Sequence, residues 1–147
     1  MDDDIARGEL LLLAVTRMHR LQVELLGRLE ITLTLRQYRI LQRISAGYTS
    51  VSELSRLSHR SLPTTSESVD GLIRRELLSR KASPDDRRAV LLSLTPTGRK
   101  ALALGGACLS QLAADVFAEL PASKQAALEQ LGAHLHGYAG KLMWRAT

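Results

Sequence analysis

The residues of this chain best equipped for chemistry lie between Ser79 and Gly98, in the run Ser-Arg-Lys-Ala-Ser-Pro-Asp-Asp-Arg-Arg-Ala-Val-Leu-Leu-Ser-Leu-Thr-Pro-Thr-Gly. Arg80 and Lys81 precede a Pro-Asp-Asp turn, and Arg87 and Arg88 follow it, a density of fixed cations suited to anions and above all to a phosphate backbone. An arginine at the tip of such a turn also has the length and shape to enter a minor groove. Two further cations, Arg56 and Arg60, stand just before the run Ser61-Leu62-Pro63-Thr64-Thr65-Ser66-Glu67. Serine and threonine hydroxyls meet base edges or phosphates, and a glutamate accepts from a cytosine amino group.

Other chemistry finds little support. Ser, His and Asp are present, but no nucleophile elbow, phosphate loop or ligand motif positions them, so neither an enzyme nor a bound cofactor is expected. Of the four histidines, His134 and His136 are two residues apart and face different sides of a helix, while His19 and His59 are remote in sequence, so no metal site is expected. The single cysteine, Cys108, excludes an intrachain disulfide and a cysteine-cluster zinc site. It lies on an apolar helical stretch and reads as a buried structural thiol. No apolar run approaches the roughly 20 residues that span a bilayer. The acidic start, Asp2-Asp3-Asp4, is the opposite of a signal peptide's basic region. A cytoplasmic protein with no membrane partner is the expectation.

Charge is distributed unevenly. The chain has 147 residues and a net charge of +5, but residues 32–100 alone balance to +7, residues 1–31 to −2 and residues 101–147 to zero. The excess positive charge therefore lies in the middle, where a polyanion would be bound. With 45% hydrophobic residues and only 3% aromatic, the core must be built from Leu, Ala, Val and Ile, which favours packed helices.

Those residues need elements to position them. Leu11, Val15, Met18, Leu21 or Gln22, Leu25 and Leu29 recur at helical spacing, predicting a first helix over residues 5–29. Thr34 with Gln37 and Ser50 with Glu53 form capping boxes, opening helices over 35–46, ended by Gly47, and over 51–57. Ser61 caps a further helix running to residue 77 or 78, with Pro63 tolerated in its first turn. Gly71 weakens that helix by roughly 1 kcal/mol. Two strands follow, the second with Val90, Leu92 and Leu94 turned inward. Thr95 with Pro96 starts a helix that continues to residue 120, where Pro121 breaks it. In the last helix, over 123–144, Leu128, Leu131, Leu135, Tyr138 and Leu142 form a seam that seeks another helix. The expected fold class is mainly α with a small β-hairpin wing: a winged helix-turn-helix between flanking helices.

The middle of the chain resembles the MarR (multiple antibiotic resistance regulator) family of transcription factors. The matching residues are Leu33-Thr34-Leu35-Arg36-Gln37-Tyr38, Val51-Ser52-Glu53-Leu54, Val69-Asp70-x-Leu72, Pro84-Asp85-Asp86-Arg87-Arg88-Ala89-Val90 and Leu94-Thr95-Pro96-x-Gly98. The resemblance implies one domain over 1–147, with a DNA-binding winged helix over 32–98 and dimerisation helices over 1–31 and 99–147. It further implies a homodimeric repressor that binds double-stranded DNA at a pseudo-palindromic operator and is released by a small phenolic or carboxylate effector. That effector would lodge between the dimer helices and the winged helix, with His19 and Tyr38 as polar linings, although helix packing explains Tyr38 equally. The hydroperoxide-sensing branch keeps its reactive cysteine in the first helix, where this chain has none.

On that plan Ser61, Pro63, Thr64, Thr65, Ser66 and Glu67 approach base edges, because the N-terminal part of a recognition helix enters the major groove. Arg88 enters the minor groove, Arg87 meets a phosphate, and Asp86 holds Arg88 by a charge-assisted hydrogen bond. Arg56, Arg60, Arg80 and Lys81 are phosphate contacts, which supply affinity and register and not sequence choice. Leu62, Pro63, Glu67 and Gly71 depart from the long polar or basic residues usual in the family's recognition helix. A winged-helix protein-interaction module, or an antagonist of a related regulator that does not bind DNA itself, is the alternative those departures favour.

Overall fold

The computed structural model describes residues 2–85 and 90–145. Its elements are α1 (Asp2–Gly27), α2 (Leu35–Ser45), α3 (Val51–Ser58), α4 (Leu62–Arg74), β1 (Leu78–Ala82), β2 (Val90–Leu94), α5 (Pro96–Ala118) and α6 (Ala122–Arg145). It is a mainly helical winged helix-turn-helix with one two-stranded antiparallel hairpin. Asp86, Arg87 and Arg88 lie outside the described residues.

The helix starts follow the capping chemistry. Thr34 and Ser50 each accept from the backbone N–H three residues on, and the Gln37 and Glu53 side chains answer at the cap's own N–H. Thr95 Oγ1 accepts from the Gly98 N–H at 2.9 Å, with Pro96 in the first turn. The same hydroxyl donates to the Glu76 carbonyl at 2.6 Å, so the cap of α5 also fastens the end of α4.

The end of α4 differs from expectation. The helix stops at Arg74 and does not run on to residue 77 or 78, because Glu76 takes the left-handed conformation at φ 57°. Its N–H donates to Ile73 O and the Leu77 N–H to Leu72 O, both at 2.9 Å, closing a Schellman cap without glycine. Leu72 and Leu77, at the two positions whose apolar side chains commonly accompany such a cap, are both fully buried. The reversal aims β1 back along the helix.

In the hairpin Leu78 pairs with Leu94 and Ala82 with Val90. The Leu92 N–H donates to Thr49 O at 2.8 Å, which anchors the hairpin to the loop ahead of α3. Leu92 is buried and Leu94 half-buried, but Val90 is 53% exposed, so the inward face ends before the turn.

Leu26, Leu41, Leu54, Val69, Leu72, Leu77 and Leu78 form the fully buried heart of the core. Each such side chain is worth about 1.5–3 kcal/mol of burial. Arg75 closes one side of this body by donating to Thr32 O at 2.6 Å and Gln37 Oε1 at 3.1 Å. Arg43 donates to Leu57 O at 3.0 Å, placing a cation at the C-terminus of α3. Most of α1 contributes little to this core. Among its described side chains only Leu26 is buried, while Leu10 and Leu12 are 67% exposed. In the α6 seam Leu128, Leu131 and Tyr138 are exposed as well.

Candidate nucleic-acid interface

Three short devices set α4 on the surface. The α3 helix ends at His59, which is left-handed at φ 52°, and Ser55 Oγ donates to Arg60 O at 2.6 Å to close the turn. Ser61 Oγ then accepts from the Thr64 N–H at 3.3 Å. The resulting helix buries Thr65, Val69 and Leu72 and leaves Pro63, Glu67 and Arg74 exposed.

Ahead of α3, Ser50 binds the Glu53 carboxylate through its hydroxyl at 2.9 Å and its N–H at 3.1 Å. The hydroxyl bond first, then the backbone bond, holds the Glu53 carboxyl below its ordinary 4.5. A depressed carboxylate contributes stability that is full above its unfolded pKa and is lost as pH falls through the folded value. Glu53→Gln keeps the capping geometry, so the expected result is near-normal stability at neutral pH and a shallower loss on acidification. Equal acid slopes for variant and parent in chemical unfolding would contradict this.

The expected base readers separate. Pro63 and Glu67 are exposed, and Thr64 and Ser66 are half-buried. Ser61 Oγ and Thr64 Oγ1 share a hydrogen bond at 2.8 Å, so cap and candidate reader are tied together. Thr65 is a correction. It is 4% exposed and its hydroxyl donates to Ser61 O at 3.0 Å, so it faces the core and is withdrawn as a base reader.

Arg56, Arg60 and Lys81 are exposed. Arg80 is also exposed but is already paired: its guanidinium donates to Asp70 on α4 at 2.6 Å. The pair ties β1 to the recognition helix, a contact that sequence spacing did not announce. Arg74 is a further residue the sequence reading passed over. It stands seven residues after Glu67, two helical turns along the same exposed face, and that periodicity was its available signal.

Behind this surface lies a groove of about 1100 Å³ bordered by α1, α2, the α3–α4 turn, α4 and α6. His19 lines it, together with Arg36, Arg39, Arg43, Arg60 and Arg74. Tyr38 does not, which corrects its expected place as a ligand lining. Its side chain is 7% exposed and packs against α5, where a Cβ on Gly105 would lie 2.8 Å from the ring. Burial, with Arg39 nearby as the smaller cause, lowers the pKa of Arg43 from its ordinary value. Cys108 is half-buried in the protomer and not fully enclosed.

Residues 33–90 match the sequence profile of the MarR family. A crystal structure of a probable transcriptional regulator from Pseudomonas aeruginosa is 31% identical, with TM-score 0.70, over 87% of this chain and 95% of that one. A cysteine-to-serine mutant of E. coli MarR, crystallised with operator DNA, is 25% identical with TM-score 0.71, over 91% of this chain and 96% of that one. Streptococcus pneumoniae FabT in complex with DNA has the same fold at TM-score 0.83, with 19% identity, over 93% of this chain and 97% of that one.

Proposed function

The chain belongs to the MarR family of transcriptional regulators, and on that premise we propose that it acts as a homodimeric repressor on a pseudo-palindromic operator. The observation carrying this reading is the pairing of α4 with the hairpin through Asp70 and Arg80. It joins the first strand of the wing to α4 beside the buried Leu72, Leu77 and Leu78, so that a groove-reading helix and a backbone-gripping hairpin present together.

The roles then divide by chemistry. Pro63, Thr64, Ser66 and Glu67 approach base edges, with Arg74 at the far end of the same face. Arg56, Arg60 and Lys81 meet phosphates, with Arg80 held in register by Asp70. Arg87 and Arg88, with Asp86, act at the wing tip as expected from their place in the turn. The α4 face has few cations, so the wing supplies a large share of the affinity. Operator binding is therefore expected to fall roughly tenfold or more in Arg88→Ala. In Arg87→Ala, the phosphate contact, the salt dependence should become shallower by about one counterion. Fluorescence anisotropy with the chain's own promoter region at several salt concentrations measures both. An unchanged affinity and slope would remove the wing from the interface.

The dimer reading is supported by the apolar surface the protomer leaves open. Leu10, Leu12 and Val15 on α1 and Leu128, Leu131 and Tyr138 on α6 are all exposed. Over part of its length α5 is apolar enough to cross a membrane by composition alone. Its first turns, however, are buried against the winged helix at Gly98 and Ala101, and Lys100 pairs with Glu30 at 2.7 Å. A second subunit covering the remaining apolar faces fits that arrangement. Action on DNA makes the cytoplasm the working compartment, and a ligand in the groove behind α4 would release the operator.

A further inference from the structure

The exposed face of α4 is poor in hydrogen-bond donors, and that constrains the bases it can read. From Ser61 to Ile73 the chain carries no Arg or Lys, and the first cation within α4, Arg74, is its last residue. Arginine and lysine are the commonest partners of the guanine O6 and N7 acceptors, so the leading turns of α4 lack a guanine reader. Most of their hydroxyls are engaged within the helix. Thr65 donates to Ser61 O and Ser68 to Thr64 O, each at 3.0 Å, and Ser61 and Thr64 hold each other at 2.8 Å. Pro63 has no N–H to offer.

What this face does present is apolar surface and one acceptor. Leu62, the first residue of α4, is 52% exposed and belongs neither to the buried core nor to the half-buried side chains packed on it. Pro63 beside it is exposed as well. Glu67 is exposed and, among the described residues, has no ion pair or side-chain hydrogen bond, whereas Asp70, the other carboxylate of α4, is taken by Arg80. Pro63 and Glu67 are four residues apart and share the outward face. In the major groove only thymine offers a methyl group to an apolar side chain. A carboxylate is repelled by the N7, O6 and O4 acceptors and needs an amino donor. Adenine N6 lies beside the N7 acceptor, but cytosine N4 has only C5–H on its outer side, so cytosine fits Glu67 better. One helical turn is about 5.4 Å and bases along a strand are about 3.4 Å apart, so the two readers fall within one or two base steps.

We propose that α4 reads a pyrimidine pair in each half-site: Leu62 and Pro63 pack on a thymine C5-methyl, and Glu67 accepts from a cytosine N4 amino group. The inference rests on the reading of the chain as an operator-binding protein. It adds Leu62 as a specificity-determining residue and names the base edges the recognition helix fits.

Selection of bound duplexes from a random pool with the full chain supplies the half-site, which should contain both a thymine and a cytosine. Deoxyuridine in place of that thymine removes only the methyl group. It should lower affinity about fourfold for one half-site and roughly tenfold or more for both, read by fluorescence anisotropy. In the Leu62→Ala, Pro63→Ala double variant the thymine duplex should bind more weakly and the uracil duplex no worse than it, because methyl and reader lose the same contact. A uracil penalty undiminished in that variant comes from duplex shape and overturns the methyl contact. Glu67→Gln, passed through the same selection, should exchange cytosine for adenine at one position, since glutamine pairs with adenine N6 and N7. Cytosine retained there overturns the amino contact. Operator binding that neither uracil nor the variants alter sinks this proposal alone. A pool in which the folded chain enriches no sequence sinks the operator reading, and this proposal with it.

Discussion

Gly98→Ala is expected to destabilise the protomer by at least about 3 kcal/mol, more than most single substitutions do. A Cβ built on Gly98 would lie 1.9 Å from the Leu77 carbonyl oxygen and 2.9 Å from its carbon. Both are backbone atoms, so no side-chain rotation relieves the overlap, and overpacking of this kind forces the main chain apart. The main chain there is also pinned. The Thr95 N–H donates to that same Leu77 oxygen at 3.2 Å, and the Thr95 hydroxyl holds Glu76. Moving α5 away would therefore break the junction between recognition helix, hairpin and dimer helix at once. Thermal unfolding should register a fall of roughly 10 °C for a chain of this size. Gly8→Ala supplies the opposite sign. Its Cβ meets nothing within 4 Å, and replacing a helical glycine by alanine should stabilise the exposed helix by about 0.5–1 kcal/mol. Equal, small effects at the two positions would refute the close approach.

The second large effect concerns assembly. Leu12→Glu combined with Leu131→Glu places a carboxylate on the open apolar face of each flanking helix, at positions 67% and 46% exposed in the protomer. Burying an unpaired carboxylate in a subunit interface costs several kcal/mol, so the dimer should dissociate. The core cluster around Leu41, Leu54 and Leu72 contains neither residue, so the winged helix keeps its own packing. Operator affinity should nevertheless fall by roughly 100-fold or more, because two linked half-site contacts become two independent ones. Sedimentation velocity and binding to a two-half-site duplex read the two halves of the result. A dimer that persists with full affinity would mean that these faces serve another partner.

Much of the architecture was legible in the chain as a string of residues. Each capped helix start was marked by a hydroxyl and a partner three residues on, since a cap is a bond between neighbours in sequence. The hairpin was legible from its turn and alternating leucines, though the inward face proved to begin at Leu92 and not Val90. The end of α4 was missed for an equally local reason. A left-handed residue is usually marked by glycine, and here it is Glu76, held in that conformation by the capping hydrogen bonds to the Ile73 and Leu72 carbonyls. Among the site residues, Arg74 was readable from helical period. Thr65 was readable from the same period, since it stands four residues before Val69 and seven before Leu72 on the face turned to the core.

By itself, then, the sequence determined the order of elements, their caps, the basic centre of the chain and the Thr-Pro-x-Gly start of α5. These are properties of residue type and short-range spacing, which survive in the unfolded chain. Only the tertiary structure decided that Gly98 lies under the Leu77 carbonyl, that Tyr38 packs beneath Gly105 in place of lining the groove, and that Arg80 is held by Asp70. It also decided that the arginines of α2 share one groove with those flanking α4. Each of these joins residues distant in sequence; the first three exist only after the chain has reversed at Glu76, and the last only after α2 and α4 have packed together.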